Sequence, residues 1–512
     1  MTPPELAAAT PPLALPRRRV APAWALAALS LPWALLWLLP PPNHDVAALL
    51  VFTDRWLAGA ALYRDLVDVN PPLVFLLYAP ATAVARATGM PAALAFTLAF
   101  ALFLLLVGRL LLPRLTSLGI GPAAALVLAA LGPFAVAGLG AGMEGQREQL
   151  LAIAALPWLA DAARRARAPV PWRESLPTAL LAACFLCLKP HFLAMPLLVE
   201  AWLLARRRVR DAVPLCFLLV PALYGALIWL AFPAYLGAVV PLVLHGYAAF
   251  GAHSWADVLA DRAFAPALLV LAACLPAARR DAAGTVLALA ALGAVVGAAA
   301  QAKGWPYHRL PAEMLTLLLA GWLAARQAAL LPAPAARALA LGVLVAANAH
   351  VLATREGPWR VGEELFGTVP RALNQAIRTH APAAPVLALT PGVDPVYPAL
   401  LSARAWQATR WMTLWPLQVA YAHGCAEGGL QYRPRAAMAT LEAAVFDGVV
   451  EDFLRTRPPV VLLDRFADIP ACQGRAFDFL EYFRRDPRFA AAFAPYAPVA
   501  AFDRYVIFTR MD

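Results

Sequence analysis

Apolar segments about as long as a bilayer crossing recur along this chain from Pro22 to about Ala353, and clusters of arginine punctuate them. A backbone in hydrocarbon must satisfy its own hydrogen bonds, so such segments fold as helices that cross the membrane together. Composition agrees: 62% of the 512 residues are hydrophobic and only 14% are charged, which excludes an ordinary soluble globular protein. The net charge of +11 would raise the question of nucleic acid in a soluble protein. Here the arginines fall between apolar segments, where they set orientation, and no nucleic-acid partner is implied.

Following the positive charges gives a topology. Arg17, Arg18 and Arg19 precede the segment from Pro22 to Pro42, which is long enough to span and lacks a clear small-residue cleavage site; it reads as an uncleaved first helix with a cytoplasmic N-terminus. Pro71 to Ala85 is apolar but falls short of the ~17 residues that a span needs, opens on two prolines and contains Pro80, so it reads as an interfacial or re-entrant helix. Leaving it out of the count puts Arg109 and Arg114, the run from Arg164, Arg206 to Arg210, and Arg279 with Arg280 all on the cytoplasmic side. Spans are then expected near 22–42, 91–112, 118–140, 150–163, 176–188, 192–205, 212–232, 263–278, 282–300, 310–325 and 329–352. The expected fold is an all-α polytopic membrane protein of about eleven transmembrane helices, ~20 residues each, with a membrane domain over 1–352 whose first outer loop is 43–90. The tail, 353–512, lies outside the membrane on the extracytoplasmic face.

That tail has a higher charge density and short β-like runs at Pro385 to Leu389, Pro459 to Leu463 and Tyr505 to Phe508, which predict a small α/β domain. Of six cysteines, Cys184, Cys187, Cys216 and Cys274 lie in apolar segments and read as buried thiols. Cys425 and Cys472 share the tail and could pair in an oxidising compartment.

With this topology most polar groups collect on the outer face: the first loop with Asp45, Asp54, Asp65 and Asp68; Glu144-Gly-Gln-Arg147-Glu148; Lys189-Pro-His191; the loop with His245 and His253; and Lys303-Gly-Trp-Pro-Tyr307-His308. One enzyme pocket at that face would gather such groups. Of the 42 basic residues only Lys189 and Lys303 are lysines. Each stands at the outer end of a span within five residues of a histidine. A compact ammonium there suits a phosphate leaving group.

The first loop carries His44-Asp45, then Gly59-Ala-Ala-Leu-Tyr63-Arg64-Asp65 and Asp68-Val-Asn70-Pro-Pro-Leu73. In these motifs, and in the later pieces at Arg147-Glu148, Lys189-Pro-His191 and Lys303 to His308, the chain resembles the GT-C superfamily of polyprenyl-phosphate-sugar-dependent glycosyltransferases, nearest to the protein O-mannosyltransferase and lipid A aminoarabinose transferase group. The likeness covers roughly the first 310 residues. It implies a plasma (inner) membrane enzyme with its site on the extracytoplasmic face, a polyprenyl-phosphate-linked sugar as donor and a cell-envelope hydroxyl as acceptor. It also implies that Asp45 is the catalytic base; Arg64, Lys189, His191, Lys303, Tyr307 and His308 would bind donor phosphate or substrate; His44, Asp65, Asp68, Arg147 and Glu148 would support them. Such enzymes usually carry Asp-Glu where this chain has Asp45-Val46. Transfer needs a base for the acceptor hydroxyl, while the charge leaving on phosphate is met by cations or by a divalent metal.

Plainer roles compete for the same residues. Asp54, Asp65 and Asp68 suit solvated faces or helix caps, Arg147 with Glu148 suits a structural ion pair, and His245 and His253 lack metal-ligand spacing. Glu200 lies inside an expected span, where Arg206 to Arg208 stand one to two turns away as partners. The rival function is a lipid or sugar transporter or flippase, which would place ionisable or broken-helix sites near the midplane; a catalytically dead scaffold is a third.

Overall fold

The computed structural model describes residues 43–140, 142–328, 368–422 and 429–511, with a few isolated positions between them. The expected first and last spans, 22–42 and 329–352, lie outside the described residues apart from those positions. The described chain is mostly helical with one small mixed sheet. Three of its helices, Ala92–Ser117, Val213–Ala231 and Ala282–Ala300, are long and apolar enough to cross a membrane. Val213–Ala231 shows apolar side chains such as Leu218, Leu223 and Leu230 at its surface, as a helix in contact with lipid would. Helix Leu73–Thr88 has 16 residues, about 24 Å at ~1.5 Å per residue, short of the ~30 Å hydrocarbon layer.

The chain divides into two compact units. In the first unit, whose described residues are essentially 100–222 and 253–328, helix Ala282–Ala300 packs against Ala194–Arg207, Pro306–Ala328, Arg147–Arg165 and Ala265–Ala278. Two glycines make the first of these contacts close. A Cβ on Gly293 would stand 2.5 Å from the Met195 backbone, and one on Gly297 would stand 2.6 Å from the Phe192 ring. The approach holds the short 3-10 turn Pro190–Leu193, and with it the Lys189-Pro-His191 motif, against that helix.

Buried ion pairs tie other helices of this unit together. Arg114 and Arg164 both bond Asp161, which Thr178 also reaches. Glu200 is paired, bidentately, with Arg165 from helix Arg147–Arg165 rather than with the arginines that follow it in sequence, and Trp158 Nε1 donates to it as well. Arg165 also bonds Asp211.

The second unit gathers 40–99, 223–252 and 358–512. Its sheet has the order β2-β1-β5-β7-β6, with β1 Pro385–Leu389, β2 Trp406–Gln407, β5 Val460–Asp464, β6 Tyr496–Phe502 and β7 Tyr505–Arg510. β1 pairs parallel to β2 and β5, while β7 runs antiparallel to β5 and β6. A separate two-stranded piece joins β3 Cys425–Ala426 to β4 Gly429–Leu430. Buried Val460 to Leu463 and an aromatic set around Phe453, Phe489, Phe493 and Tyr496 form the core beneath the sheet. The first loop joins this unit: helix His44–Leu57 packs on Val396–Ser402, with Phe52 edge-on to Tyr397, and Val67 donates a backbone hydrogen bond to Arg410. Cys472 is disulfide-bonded, whereas Cys184, Cys187, Cys216 and Cys274 are free thiols; the side chain of Cys425 lies outside the described residues.

Candidate functional site

Helix Arg147–Arg165 begins with two charged residues that are both buried: Arg147 is 5% exposed and Glu148 is fully enclosed. A carboxylate in the first turn is favoured by the helix dipole, but that alone does not offset burial of its charge. The two cations beside it do. Lys189 Nζ lies 3.3 Å from Glu148 Oε1 and Arg147 Nε is 4.0 Å from Oε2, while His308, whose charged form is disfavoured by burial and by the neighbouring cations, has Nε2 3.7 Å from Oε1. Lys189, at the entry to its 3-10 turn, also bonds Gln301 at 3.4 Å. Arg147 stands 6.0 Å over the Tyr307 ring, which meets His308 edge-on with centroids 4.7 Å apart. Lys303, buried before helix Pro306–Ala328, lies over Trp305. The three sequence motifs around Glu148, Lys189 and Lys303 to His308 therefore line one part of the first unit.

Among the described residues neither Glu148 oxygen accepts a hydrogen bond and neither His308 ring nitrogen makes one. Enclosed polar atoms of this kind keep their bonding capacity for a ligand. Burial lowers the Lys303 ammonium to about 8, so near neutral pH it is charged but close to giving up its proton. His191 is held below the usual imidazole value by desolvation and by the Lys189 ammonium. On the preceding loop, burial raises Glu144 to about 7, leaving that carboxyl part protonated at neutral pH. The cluster can hold an anionic oxygen between two ammoniums and a guanidinium.

The remaining candidates belong to the second unit. Asp45 sits in the first turn of helix His44–Leu57, where Asn43 caps its backbone N–H. Its side chain is 20% exposed with His44 Nε2 at 3.8 Å. Further along, the loop is folded on itself. Tyr63 adopts φ +68°, donates its hydroxyl to the Asn70 carbonyl and packs against Tyr235. Asp68, 7% exposed, accepts from both nitrogens of Asn70. Asp65 accepts from the Ala61 N–H and pairs with Arg64, whose side chain is 77% exposed. Asp54 pairs with Arg86. Asp65 and Asp68 thus shape the loop, Arg64 projects from it, and Asp45 stands at its start.

His245 and His253 are exposed. Among the described residues no three His, Cys, Asp or Glu side chains come together as a metal site. The sequence offered no sign of the Asp161 and Arg165 networks, whose partners come from helices far apart in the chain. No protein-family model matches the chain, and no curated protein matches it.

Proposed function

We propose that the protein is a polytopic glycosyltransferase of the plasma membrane, with about eleven spans by the ~20-residue rule. It moves a sugar from a polyprenyl-phosphate donor to a hydroxyl of a cell-envelope acceptor on the extracytoplasmic side. The observation that carries this reading is the gathering of three separate sequence motifs at one place, with Lys189 and Arg147 beside the enclosed Glu148 and with His308, from the motif that also holds Lys303, next to them. Ammonium and guanidinium groups held together in this way suit the charge of a lipid-borne phosphate. The motif likeness of the first 310 residues supports the same chemistry.

In the proposed reaction the acceptor oxygen attacks the anomeric carbon and Asp45 takes the hydroxyl proton. The bond from that carbon to the phosphate oxygen breaks, and its electron pair leaves on the phosphate. Attack opposite the leaving group inverts the anomeric centre. The ammoniums of Lys189 and Lys303, with Arg147, meet the charge that grows on phosphate, where fixed cations in a dry site act most strongly. His191, Tyr307 and His308 line the donor, and Glu148 holds Lys189 by its charge.

Proteoliposomes test the reading against a transporter. A radiolabelled polyprenyl-phosphate sugar should lose its label to an acceptor in added envelope extract only when protein is present. Label that crosses the bilayer still joined to polyprenyl phosphate would establish transport instead.

A further inference from the structure

A cavity of about 570 Å³ lies within the second unit, between the first-loop helix His44–Leu57 and the β2 edge of the sheet. Its walls carry Arg55, Arg86, Arg410 and Arg455 against only Asp54 and Asp65, and Trp406 forms part of the lining. Most of these charges are already matched. Arg86 is paired with Asp54 at 2.9 Å, Arg410 with Asp452 and Glu451, and Arg455 with the same Asp452. Asp65 is held by Arg64.

Arg55 differs. Among the described residues it makes no ion pair and no side-chain hydrogen bond; its guanidinium lies over the Trp406 ring, 5.1 Å from the centroid. Burial and, second, the nearby Arg455 disfavour the charge on Arg55, and Asp54 and Asp65 offset them only in part. Arg55 and Arg455 both line this cavity, and a guanidinium fork matches carboxylate and phosphate alike. Trp406 also lines the cavity, and the part of its ring that Arg55 leaves uncovered offers a flat apolar surface of the kind that the C–H face of a sugar ring covers. The volume falls in the ~300–1,000 Å³ range of small-molecule sites.

We infer that this cavity binds a saccharide bearing an anionic group, phosphate or carboxylate, with the anion between Arg55 and Arg455 and the sugar ring against Trp406. The residues are distinct from Asp45 and from the Glu148 cluster. That such a saccharide is the acceptor of the proposed transfer rests on that proposal; the binding itself does not.

The test uses the full chain in nanodiscs and direct binding by saturation-transfer NMR and calorimetry, with glucose 6-phosphate, glucuronic acid, glucose and inorganic phosphate as probes. At least one of the two charged sugars should bind about tenfold tighter than glucose and tighter than inorganic phosphate, a gap of ~1.4 kcal/mol. The preference between them identifies the anion. Arg55→Gln and Trp406→Leu should each weaken that binding about tenfold while the thermal unfolding midpoint stays put. If Arg55→Gln fails to fold, Arg455→Gln on the opposite wall carries the same expectation. Charged sugars that bind no better than glucose or inorganic phosphate, or that bind the folded variants as tightly as the parent, overturn the inference. Because no transfer is measured, failure of the glycosyltransferase reading and failure of this one give different results.

Discussion

Lys303 shows how one residue joins burial to ligand choice. Its ammonium is lowered to about 8 from an ordinary 10.5 because burial strips its solvent, and an anion beside it would restore the charged form. Above pH 8 the free protein has lost that charge, so donor affinity should fall as pH rises from 7 to 9, and Lys303→Met should flatten the fall. Donor binding measured across that range, with equal slopes for parent and variant, would detach Lys303 from the phosphate. Stability carries the opposite sign. The unfolded chain keeps this proton up to about 10.5 while the folded chain releases it near 8, so the lysine destabilises fully below pH 8 and its cost fades between 8 and 10.5. Lys303→Met should therefore raise the unfolding midpoint at pH 7 and do so less at pH 10. Arg165 is a second residue whose role is definite. Removing it leaves Glu200 and Asp211 buried beside each other without their cation, and Arg165→Met should cost about 3–5 kcal/mol, read as a lowered unfolding midpoint in detergent. An unchanged midpoint would mean that water reaches those carboxylates.

At the scale of elements, hydropathy reports where an apolar face lies more faithfully than where a helix ends. Ala282–Ala300 coincides with the apolar segment 282–300 because small residues fill it from end to end. Arg147–Arg165 outruns its apolar segment, 150–163, at both ends, because Arg147, Glu148 and Arg165 are enclosed with partners that hydropathy scores as solvent-exposed. The β-like runs at Pro385 and Tyr505 stand out by their alternating or continuous apolar residues and correspond to β1 and β7. β2 is two residues long and β6 is mostly exposed, so neither carries a hydrophobic signal. The lysine and histidine motifs were visible because lysine is rare in this chain. The partner of Glu200 was not, since Arg165 reaches it from another helix, and Arg64 gives no sign in sequence that Asp65 beside it takes its charge. Helix packing yields its own expectation. Gly297→Ala would press a methyl into Phe192 and displace the turn that carries Lys189 and His191, at about 1–3 kcal/mol for overpacking. Donor affinity should fall with it, whereas Gly132→Ala, which meets open space, should alter neither stability by more than a few tenths nor donor affinity. Equal behaviour of the two variants would dissociate the close contact from the site.

For the whole molecule, the account requires all its reacting groups on one side of the membrane. Reporter fusions after Thr88, Glu144 and Gly357 should report the extracytoplasmic side, and fusions after Arg165 and Arg280 the cytoplasm. A cytoplasmic signal at Thr88 would make Leu73–Thr88 a span and put Asp45 and Glu148 on opposite faces. The most direct test of the central claim is the rate of sugar transfer from a radiolabelled polyprenyl-phosphate donor to envelope acceptor by the purified protein, compared with Asp45→Asn. That change keeps size and hydrogen bonding but removes the proton acceptor. The account predicts an inverted product from the parent and a loss of about 10²–10⁴-fold in the variant. No transfer by the parent, or an Asp45→Asn enzyme that transfers at the parental rate, would contradict it.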